Sequence, residues 1–315
     1  MNIVVTDGYT LNPGDLSWAA IEKLGRLTVY DRTPAEAIVA RCQGADIVLT
    51  NKVPLKADLL AQLPQLQLIS VLATGYNIID VPAARQRGIA VCNVPAYGTA
   101  SVAQHTFALL LELTNQTGAH ASAVAGGEWV NSKDFSFTKS PIMELAGKTL
   151  GVIGWGNTAQ QTARIARAFD MRVVYYTPNK KEQAEAEWLS LPDLFAQSDV
   201  VSLHCPLTAD NAGFVNSSLL QKMKPSAYLI NTARGQLINE AQLADALNNN
   251  ILAGAAIDVL STEPPAPENP LLTARNCIIT PHIAWISKEA RTRIMAITET
   301  NIKAFLEKNP VNVVG

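Results

Sequence analysis

A glycine-rich turn between an apolar strand and a helix constrains this chain more than any other feature of its sequence. Residues Thr149–Ile153 are strand-like, Ala159–Ala168 are helical in character, and Gly154-Trp-Gly156-Asn-Thr lies between them. Gly154 permits a tight turn, and Gly156 lets the backbone approach a pyrophosphate, which the free N–H groups of a helix N-terminus can bind. A glycine cluster can also be a plain turn, but the strand–turn–helix context predicts a dinucleotide site.

Short apolar runs alternate with helix-length segments along the whole chain, as expected for parallel strands that are buried on both faces. One set of these units precedes about residue 98, and a second set runs from about residue 148 to 284. The β-α-β alternation predicts an α/β protein with two doubly wound, Rossmann-like parallel-sheet domains and a cleft between them. We expect residues 1–98 with 286–315 to form one domain and residues 99–285 to form the other.

The composition excludes several classes of function. The 315 residues carry a formal net charge of −2, so the basic excess that nucleic-acid binding requires is missing. The longest apolar stretch, near Phe107–Leu111, is far too short to span a membrane, and Met1–Asp7 reads as a first strand rather than a signal peptide. The four cysteines form no C-x-x-C pair, so we expect no metal site and a cytoplasmic location with reduced thiols.

The ribose end of the dinucleotide site is ambiguous. In NAD-binding folds an acid about 20 residues after the turn commonly holds the ribose hydroxyls. Here the strand ends in Thr177-Pro-Asn179-Lys180-Lys181, and Asp170 lies at its other end. Thr177 and Asn179 can hydrogen-bond a ribose, whereas Lys180 and Lys181 either favour a 2′-phosphate or form a solvated loop. The cofactor is therefore predicted as NAD or NADP.

Polar residues follow the later strands, at the sheet edge where open parallel sheets bind ligands. Arg234 has a planar guanidinium that matches a carboxylate bidentately, and His282 can exchange a proton near neutral pH. Glu263 can pair with that imidazole and orient it. Together they predict proton and hydride transfer on a keto or hydroxy acid. His204 also ends a strand and is the rival proton donor.

Two further sets of residues have open interpretations. Thr74 and Gly75 follow a strand of the first half, where their backbone N–H groups either grip a carboxylate or form an ordinary turn. His105 and His120 lie in or just beyond a long helix predicted over Ser101–Thr117, and we expect them to be packing or surface residues.

Over nearly its whole length the chain resembles the D-isomer-specific 2-hydroxyacid dehydrogenase family. The motifs that carry the resemblance, in chain order, are Ala73–Asp80, Ser101–His105, Gly151–Ala159, His204–Leu207, Asn231–Gly235, Asp258–Pro264 and Thr280–His282. The resemblance implies that Arg234, Glu263 and His282 are catalytic and that the backbone of Thr74 and Gly75 holds the substrate carboxylate. It implies cofactor contacts at Gly154, Gly156, Asn157, Thr158, Thr177, Pro206, Thr232, Ala233 and Asp258. It also implies that residues 1–98 with 286–315 are the flavodoxin-like, substrate-binding domain, that residues 99–285 bind NAD(P), and that the protein is a homodimer.

Within the family, Asn51-Lys52, Ser101–Phe107 and His282–Trp285 are most similar to glycerate dehydrogenases, also called hydroxypyruvate reductases. This implies reversible reduction of hydroxypyruvate to D-glycerate, or of glyoxylate, with Trp285 lining a small substrate pocket. Two departures are Thr158-Ala159 in place of the usual Ile-Gly, and Thr177 in place of the common Asp. The alternative is a dinucleotide-sensing binding protein of the corepressor type on the same fold.

Overall fold

A computed structural model describes residues 1–182 and 184–315. The chain divides into two units, one made of Met1–Tyr97 and Ile286–Gly315 and the other of Gly98–Trp285. Each unit contains one sheet in which every strand pairing is parallel. Helices flank both sheets, so the predicted α/β fold with two doubly wound, Rossmann-like parallel sheets is confirmed.

The sheet of the first unit has five strands in the order β2-β1-β3-β4-β5. The strands are β1 (Asn2–Val5), β2 (Arg26–Val29), β3 (Ile47–Thr50), β4 (Leu68–Val71) and β5 (Ala90–Cys92). Every residue of β3 and β4 is buried, which explains why these two central strands are almost wholly apolar.

The sheet of the second unit has seven strands in the order β12-β11-β10-β9-β6-β7-β8. The strands are β6 (Thr149–Ile153), β7 (Arg172–Tyr176), β8 (Glu187–Trp188), β9 (Val200–Leu203), β10 (Tyr228–Asn231), β11 (Gly254–Ile257) and β12 (Cys277–Ile279). The chain runs from β6 outward to β7 and β8 and then returns to β9 on the other side of β6. This reversal of strand order creates the crevice at which such sheets bind ligands.

The helices vary widely in length. They are α1 (Ala19–Glu22), α2 (Ile38–Cys42), α3 (Ala57–Leu60), α4 (Val81–Gln86), α5 (Thr99–Asn115), α6 (Thr117–Ala125), α7 (Asn157–Ala168), α8 (Leu191–Gln197), α9 (Ser217–Leu220), α10 (Glu240–Asn248) and α11 (Lys288–Leu306). Within the first unit, Arg291 of α11 holds the Asp15 carboxylate bidentately, with N–O distances of 2.7 and 2.8 Å. This pair secures the C-terminal helix to the chain's first loop.

The long helix of the second unit is interrupted. The sequence predicts one helix over Ser101–Thr117, but Gln116 adopts a left-handed conformation (φ 48°) and separates α5 from α6. The Glu112 carboxylate accepts a hydrogen bond from the Thr117 hydroxyl at 2.8 Å and from the Gly118 N–H at 3.3 Å. A side chain near the end of α5 thus supplies acceptors for the first residues of α6.

Candidate active site

The glycine turn has the geometry that a pyrophosphate requires. Gly154 has φ +97°, and a Cβ there would lie 2.8 Å from the His204 carbonyl carbon, so only glycine fits between the ends of β6 and β9. A Cβ on Gly156 would meet nothing within 4 Å, so this glycine faces open space. Gly156 is the N-cap of α7 and makes no side-chain cap bond, which leaves the first N–H groups of α7 for an anion. The exposed Asn157 and half-buried Thr158 follow directly.

The loop after β7 is held in place by two polar side chains. The Tyr175 hydroxyl accepts from the Lys181 N–H at 2.9 Å and donates to the Lys181 carbonyl at 3.1 Å. The buried Thr177 donates its hydroxyl to the Asn179 carbonyl at 2.7 Å. Lys180 and Lys181 are exposed, and within the described part of the chain neither makes an ion pair with a carboxylate.

Arg234 is positioned by the side chain of the residue that ends β10. Asn231 is fully buried, and its amide accepts from the Ala233 N–H at 3.0 Å and donates to the Arg234 carbonyl at 2.9 Å. These two bonds shape the turn that carries Thr232, whose hydroxyl lies 3.1 Å from that of Thr106. The half-buried Arg234 guanidinium donates to the Ala233 carbonyl at 2.7 Å, and no carboxylate among the described residues pairs with it.

Glu263 and His282 form a hydrogen-bonded pair. His282 Nδ1 lies 2.6 Å from Glu263 Oε2, and the two side chains are 25% and 33% exposed. Because a carboxylate only accepts, the Nδ1 carries the proton, and Nε2 is left for the reacting group. The other Glu263 oxygen accepts from the Leu260 N–H at 3.0 Å, which fixes the orientation of the carboxylate.

Close backbone packing connects the Arg234 turn with the Glu263 turn. A Cβ on Gly235 would lie 1.9 Å from the Leu260 carbonyl carbon. The backbones of the two turns are therefore in contact, and only glycine fits at this position. Since Leu260 also donates to Glu263, and Glu263 holds His282, the structure brings the three residues into one connected set. Gly235 and the buried Asn231 shape the two turns that carry the candidate residues, and our sequence analysis did not single them out, although both belong to the Asn231–Gly235 motif.

Asp258 holds the segment that carries His282. Its buried carboxylate accepts from the Thr280 hydroxyl at 2.6 Å and from the N–H groups of Ile283 and Ala284, both at 2.9 Å. Burial would raise the pKa of Asp258, but hydrogen bonds, first among them the one from His105, outweigh it and hold the pKa below its ordinary value.

The rival donor His204 has a different environment. Its Nε2 lies 2.9 Å from the Ser202 hydroxyl, and burial lowers the pKa of the imidazole to about 4. A histidine with this pKa is neutral near pH 7 and cannot deliver a proton there. The nearby Pro206 is exposed, and its carbonyl accepts from the Asn211 amide at 2.8 Å. Trp285, the last residue of the second unit, is half-buried.

The predicted carboxylate site of the first unit lies at the carboxyl end of β4. The Thr74 hydroxyl donates to the Val94 carbonyl at 2.8 Å, and the Asn93 amide donates to the Thr74 carbonyl at 2.8 Å. These bonds fix the turn, whereas the N–H groups of Thr74 and Gly75 donate no hydrogen bond among the residues described. Two backbone donors without acceptors are suited to an anion.

The dinucleotide-binding unit matches a known family. Residues 107–284 match the sequence model for the D-isomer specific 2-hydroxyacid dehydrogenase, NAD binding domain. The chain belongs to this family. It is 47% identical to a hydroxypyruvate reductase of Blautia hydrogenotrophica over 100% of both chains. It is 42% identical to a glycerate dehydrogenase of Methylorubrum extorquens, covering 90% of this chain and 89% of that one.

Solved structures agree with the sequence relatives. An NADPH-dependent glyoxylate/hydroxypyruvate reductase from Sinorhizobium meliloti, in complex with citrate, superimposes with a TM-score of 0.86 at 28% identity, covering 100% of this chain and 97% of the other. The predictions of an NAD(P)-dependent dehydrogenase and of an NAD or NADP cofactor are thereby confirmed. The relatives named here are reductases and dehydrogenases, and none supports the corepressor alternative.

Residues 1–182 and 184–315, the part of the chain that the structure describes, contain neither a membrane-spanning helix nor a metal-ligand cluster. No helix there is long and apolar enough to cross a membrane, and no cluster of three or more His, Cys, Asp and Glu side chains could hold a metal ion.

Proposed function

We propose that this enzyme reduces hydroxypyruvate to D-glycerate, accepts glyoxylate as a second substrate, and catalyses the reverse reaction as well. The observation that carries the proposal is the Glu263–His282 pair, at 2.6 Å, in the same connected set as an Arg234 that lacks a carboxylate partner among the described residues. The relatives named as a hydroxypyruvate reductase and a glycerate dehydrogenase support the choice of a small 2-keto acid.

Each residue of the trio has a definite task in this proposal. The bound dinucleotide supplies or accepts the hydride at substrate C2. His282 donates its Nε2 proton to the carbonyl oxygen as that oxygen becomes a hydroxyl, and in the oxidative direction it takes the proton back. Glu263 keeps the ring oriented and stabilises the imidazolium by its charge. Arg234 holds the keto acid through its guanidinium.

We further infer that the two units divide the binding tasks. The second unit binds the dinucleotide through Gly154, Gly156 and the start of α7, and Asp258 orients the nicotinamide amide. The first unit binds the substrate carboxylate through the N–H groups of Thr74 and Gly75. Trp285 lines the substrate pocket and favours a small side chain. Pro206, Thr177, Thr232, Ala233, Asn157 and Thr158 are the remaining proposed cofactor contacts.

A panel of 2-keto acids with increasing side-chain size, each assayed with NADH and NADPH, tests the substrate assignment. We expect the highest kcat/KM with hydroxypyruvate and a steep decline for branched side chains. In the same assay, His282→Ala should lower kcat about 100- to 10,000-fold, the usual contribution of a positioned general acid, while the dissociation constant of the cofactor stays nearly unchanged. A His282→Ala enzyme with wild-type turnover would refute the role of His282.

We also propose that the enzyme accepts NADPH. No acid is present in the five residues directly after β7, Thr177–Lys181, where Thr177 stands in place of the family's common Asp and the last two residues are exposed lysines. A 2′-phosphate bound beside this stretch meets two positive charges and no carboxylate within it. Fluorescence titration should give an NADPH dissociation constant within about tenfold of that for NADH. Lys180→Glu with Lys181→Glu should weaken NADPH binding alone, and equal weakening of both cofactors would contradict this role for the lysines.

A homodimer in the cytoplasm is the proposed state of the enzyme. Large apolar side chains are exposed in the segment after α6, with Trp129 at 52%, Val130 at 89%, Phe135 at 91% and Ile142 at 55%. Several large exposed apolar side chains in one segment are typical of a protein contact. Light scattering should show Phe135→Asp shifted towards monomer and a Leu272→Asp control unchanged; a wild-type monomer would refute the dimer.

Four free cysteines fit a reducing compartment, which fractionation of cells tests directly.

A further inference from the structure

The residue that carries the proposed proton donor has an unfavourable backbone conformation. His282 has φ +54°, in the left-handed region that non-glycine residues seldom occupy. Its own N–H donates to the Asp258 carbonyl at 2.8 Å and to the Thr280 carbonyl at 2.9 Å. Because such a conformation is unfavourable for a residue other than glycine, it persists only where the surroundings hold it.

The Asp258 carboxylate also holds this segment, through its bonds from Thr280 and from the two residues after His282, and His105 contacts the Thr280 member of the set. Thr280 Oγ1 lies 2.6 Å from Asp258 Oδ1, and Asp258 is ionised near neutral pH because its pKa is lowered. The single hydroxyl proton of Thr280 is therefore donated to Asp258. His105 Nε2 lies 3.1 Å from the same hydroxyl oxygen, so His105 must be the donor in that bond. The chain of bonds thus runs from His105 of α5 through Thr280 to Asp258.

We propose that His105 is a positioning residue for His282, acting through the Thr280 hydroxyl and the Asp258 carboxylate. His105 Nε2 also lies 3.5 Å from Asp258 Oδ1, so its N–H approaches both the Thr280 hydroxyl and the Asp258 carboxylate. We call these two groups the clamp. Without the His105 donor, the Thr280 hydroxyl keeps only its bond to Asp258, and the carboxylate keeps only the donors from its own side of the site, Thr280, Ile283 and Ala284. The loop that presents His282 is then held less firmly. Our sequence analysis expected a packing or surface role for His105, and the proposal gives its half-buried, hydrogen-bonded ring a more specific one.

Kinetics of four variants test the proposal. His105→Phe removes the donor while filling the space, and His105→Gln keeps an amide N–H near the place of Nε2. Thr280→Val removes the hydroxyl while Thr280→Ser keeps it. We expect kcat to fall about tenfold in His105→Phe and Thr280→Val, with KM for hydroxypyruvate and the cofactor dissociation constant within about twofold of wild type. His105→Gln and Thr280→Ser should recover most of the loss, and exposed Gln104→Ala on the same helix is the control.

Two outcomes of the kinetics would overturn the proposal. The first is an unchanged kcat in His105→Phe. The second is an equal loss in His105→Phe and His105→Gln, because then the shape of the ring, and not its N–H, is what matters. The double variant His105→Phe/Thr280→Val should be no worse than either single variant, since both break one chain of bonds.

A spectroscopic readout separates this inference from the proposed function on which it rests. The chain has four histidines, so a sample labelled with ¹⁵N only at histidine gives few signals. His105 should appear with its proton on Nε2, and that signal should move or vanish in Thr280→Val but not in Gln104→Ala. A His105 protonated only on Nδ1 would overturn the inference even if His282 is the proton donor. Conversely, an active His282→Ala enzyme would refute the proposed function and leave this contact intact.

Discussion

His204 makes the stability of the protein depend on pH in a defined direction. Burial lowers the pKa of its imidazole from 6.5 to about 4. As the pH falls through 6.5, the unfolded chain takes up a proton, and the folded protein cannot do so until the pH approaches about 4. The stabilisation is therefore present above the unfolded pKa and is lost as the pH falls towards the folded pKa. At about 1.4 kcal/mol per pKa unit, roughly 2 kcal/mol disappears between pH 7.5 and pH 5.

The assay compares urea unfolding of the wild type and of His204→Gln at pH 7.5 and pH 5. Gln cannot titrate and keeps a polar group near the Ser202 hydroxyl, which lies 2.9 Å from the histidine ring. The carboxyls of Asp199 and Asp258 have pKa values lowered from 3.8, so their stabilisation is lost only below the range measured. We expect the free energy of unfolding to fall about 2 kcal/mol further in the wild type than in the variant. A difference below about 0.5 kcal/mol would refute the reasoning.

The lowered pKa of His204 also helps to decide whether His204 or His282 is the proton donor. With a pKa of about 4, only about one His204 side chain in a thousand is protonated at pH 7. An acid with so small a population of its donor form is poorly matched to reduction near neutral pH. The environment of His204 thus favours His282, whose ring is partly exposed and paired with a carboxylate.

Three other substitutions have expected outcomes. Glu263→Gln keeps the shape but loses the charge that stabilises the His282 imidazolium, so steady-state kinetics should show kcat lowered about 10- to 100-fold with KM little changed. Arg234→Lys keeps the charge but loses the planar fork, so kcat/KM for hydroxypyruvate should fall at least about tenfold while cofactor binding persists; an unchanged kcat/KM would show that Arg234 does not hold the substrate. Gly154→Ala forces a Cβ to within 2.8 Å of the His204 backbone, so calorimetry should show weakened cofactor binding and a lowered Tm, whereas full binding would contradict the close approach.

The apolar pattern of the sequence predicted a regular element well where consecutive residues are all buried. The predicted strand Thr149–Ile153 is β6 of the structure with the same bounds, because a strand that is buried on both faces has a continuous apolar sequence. The two-residue β8 and the five-residue α2 are too short for an apolar period to reveal them in the sequence. The break between α5 and α6 was missed because the left-handed Gln116 has no sequence signature comparable to that of glycine.

The sequence predicted which residues form the candidate site but not the contacts that hold them. Strand ends in a parallel sheet converge on one edge, so Arg234, Glu263 and His282 could be proposed from their order along the chain. The hydrogen bonds that hold them could not be, because Asp258, Thr280 and their partners are joined by three-dimensional contacts that no sequence period encodes. The role of Thr280 and the close approach of Gly235 to Leu260 became visible only in the fold.

The hydrogen bonds of Asp258 explain why a buried carboxylate lies beside the segment that carries the proposed proton donor. A proton donor must reach the substrate oxygen within about 0.5 Å of one position, and a loop residue does not hold such a position by itself. Glu263 fixes the rotation of the His282 ring through Nδ1, but it leaves the backbone free to move. Asp258 fixes that backbone through the N–H groups of Ile283 and Ala284 and through its own carbonyl. Ring and backbone are therefore held by two separate carboxylates, so loss of Glu263 should alter proton transfer, whereas loss of the clamp should displace the donor as a whole.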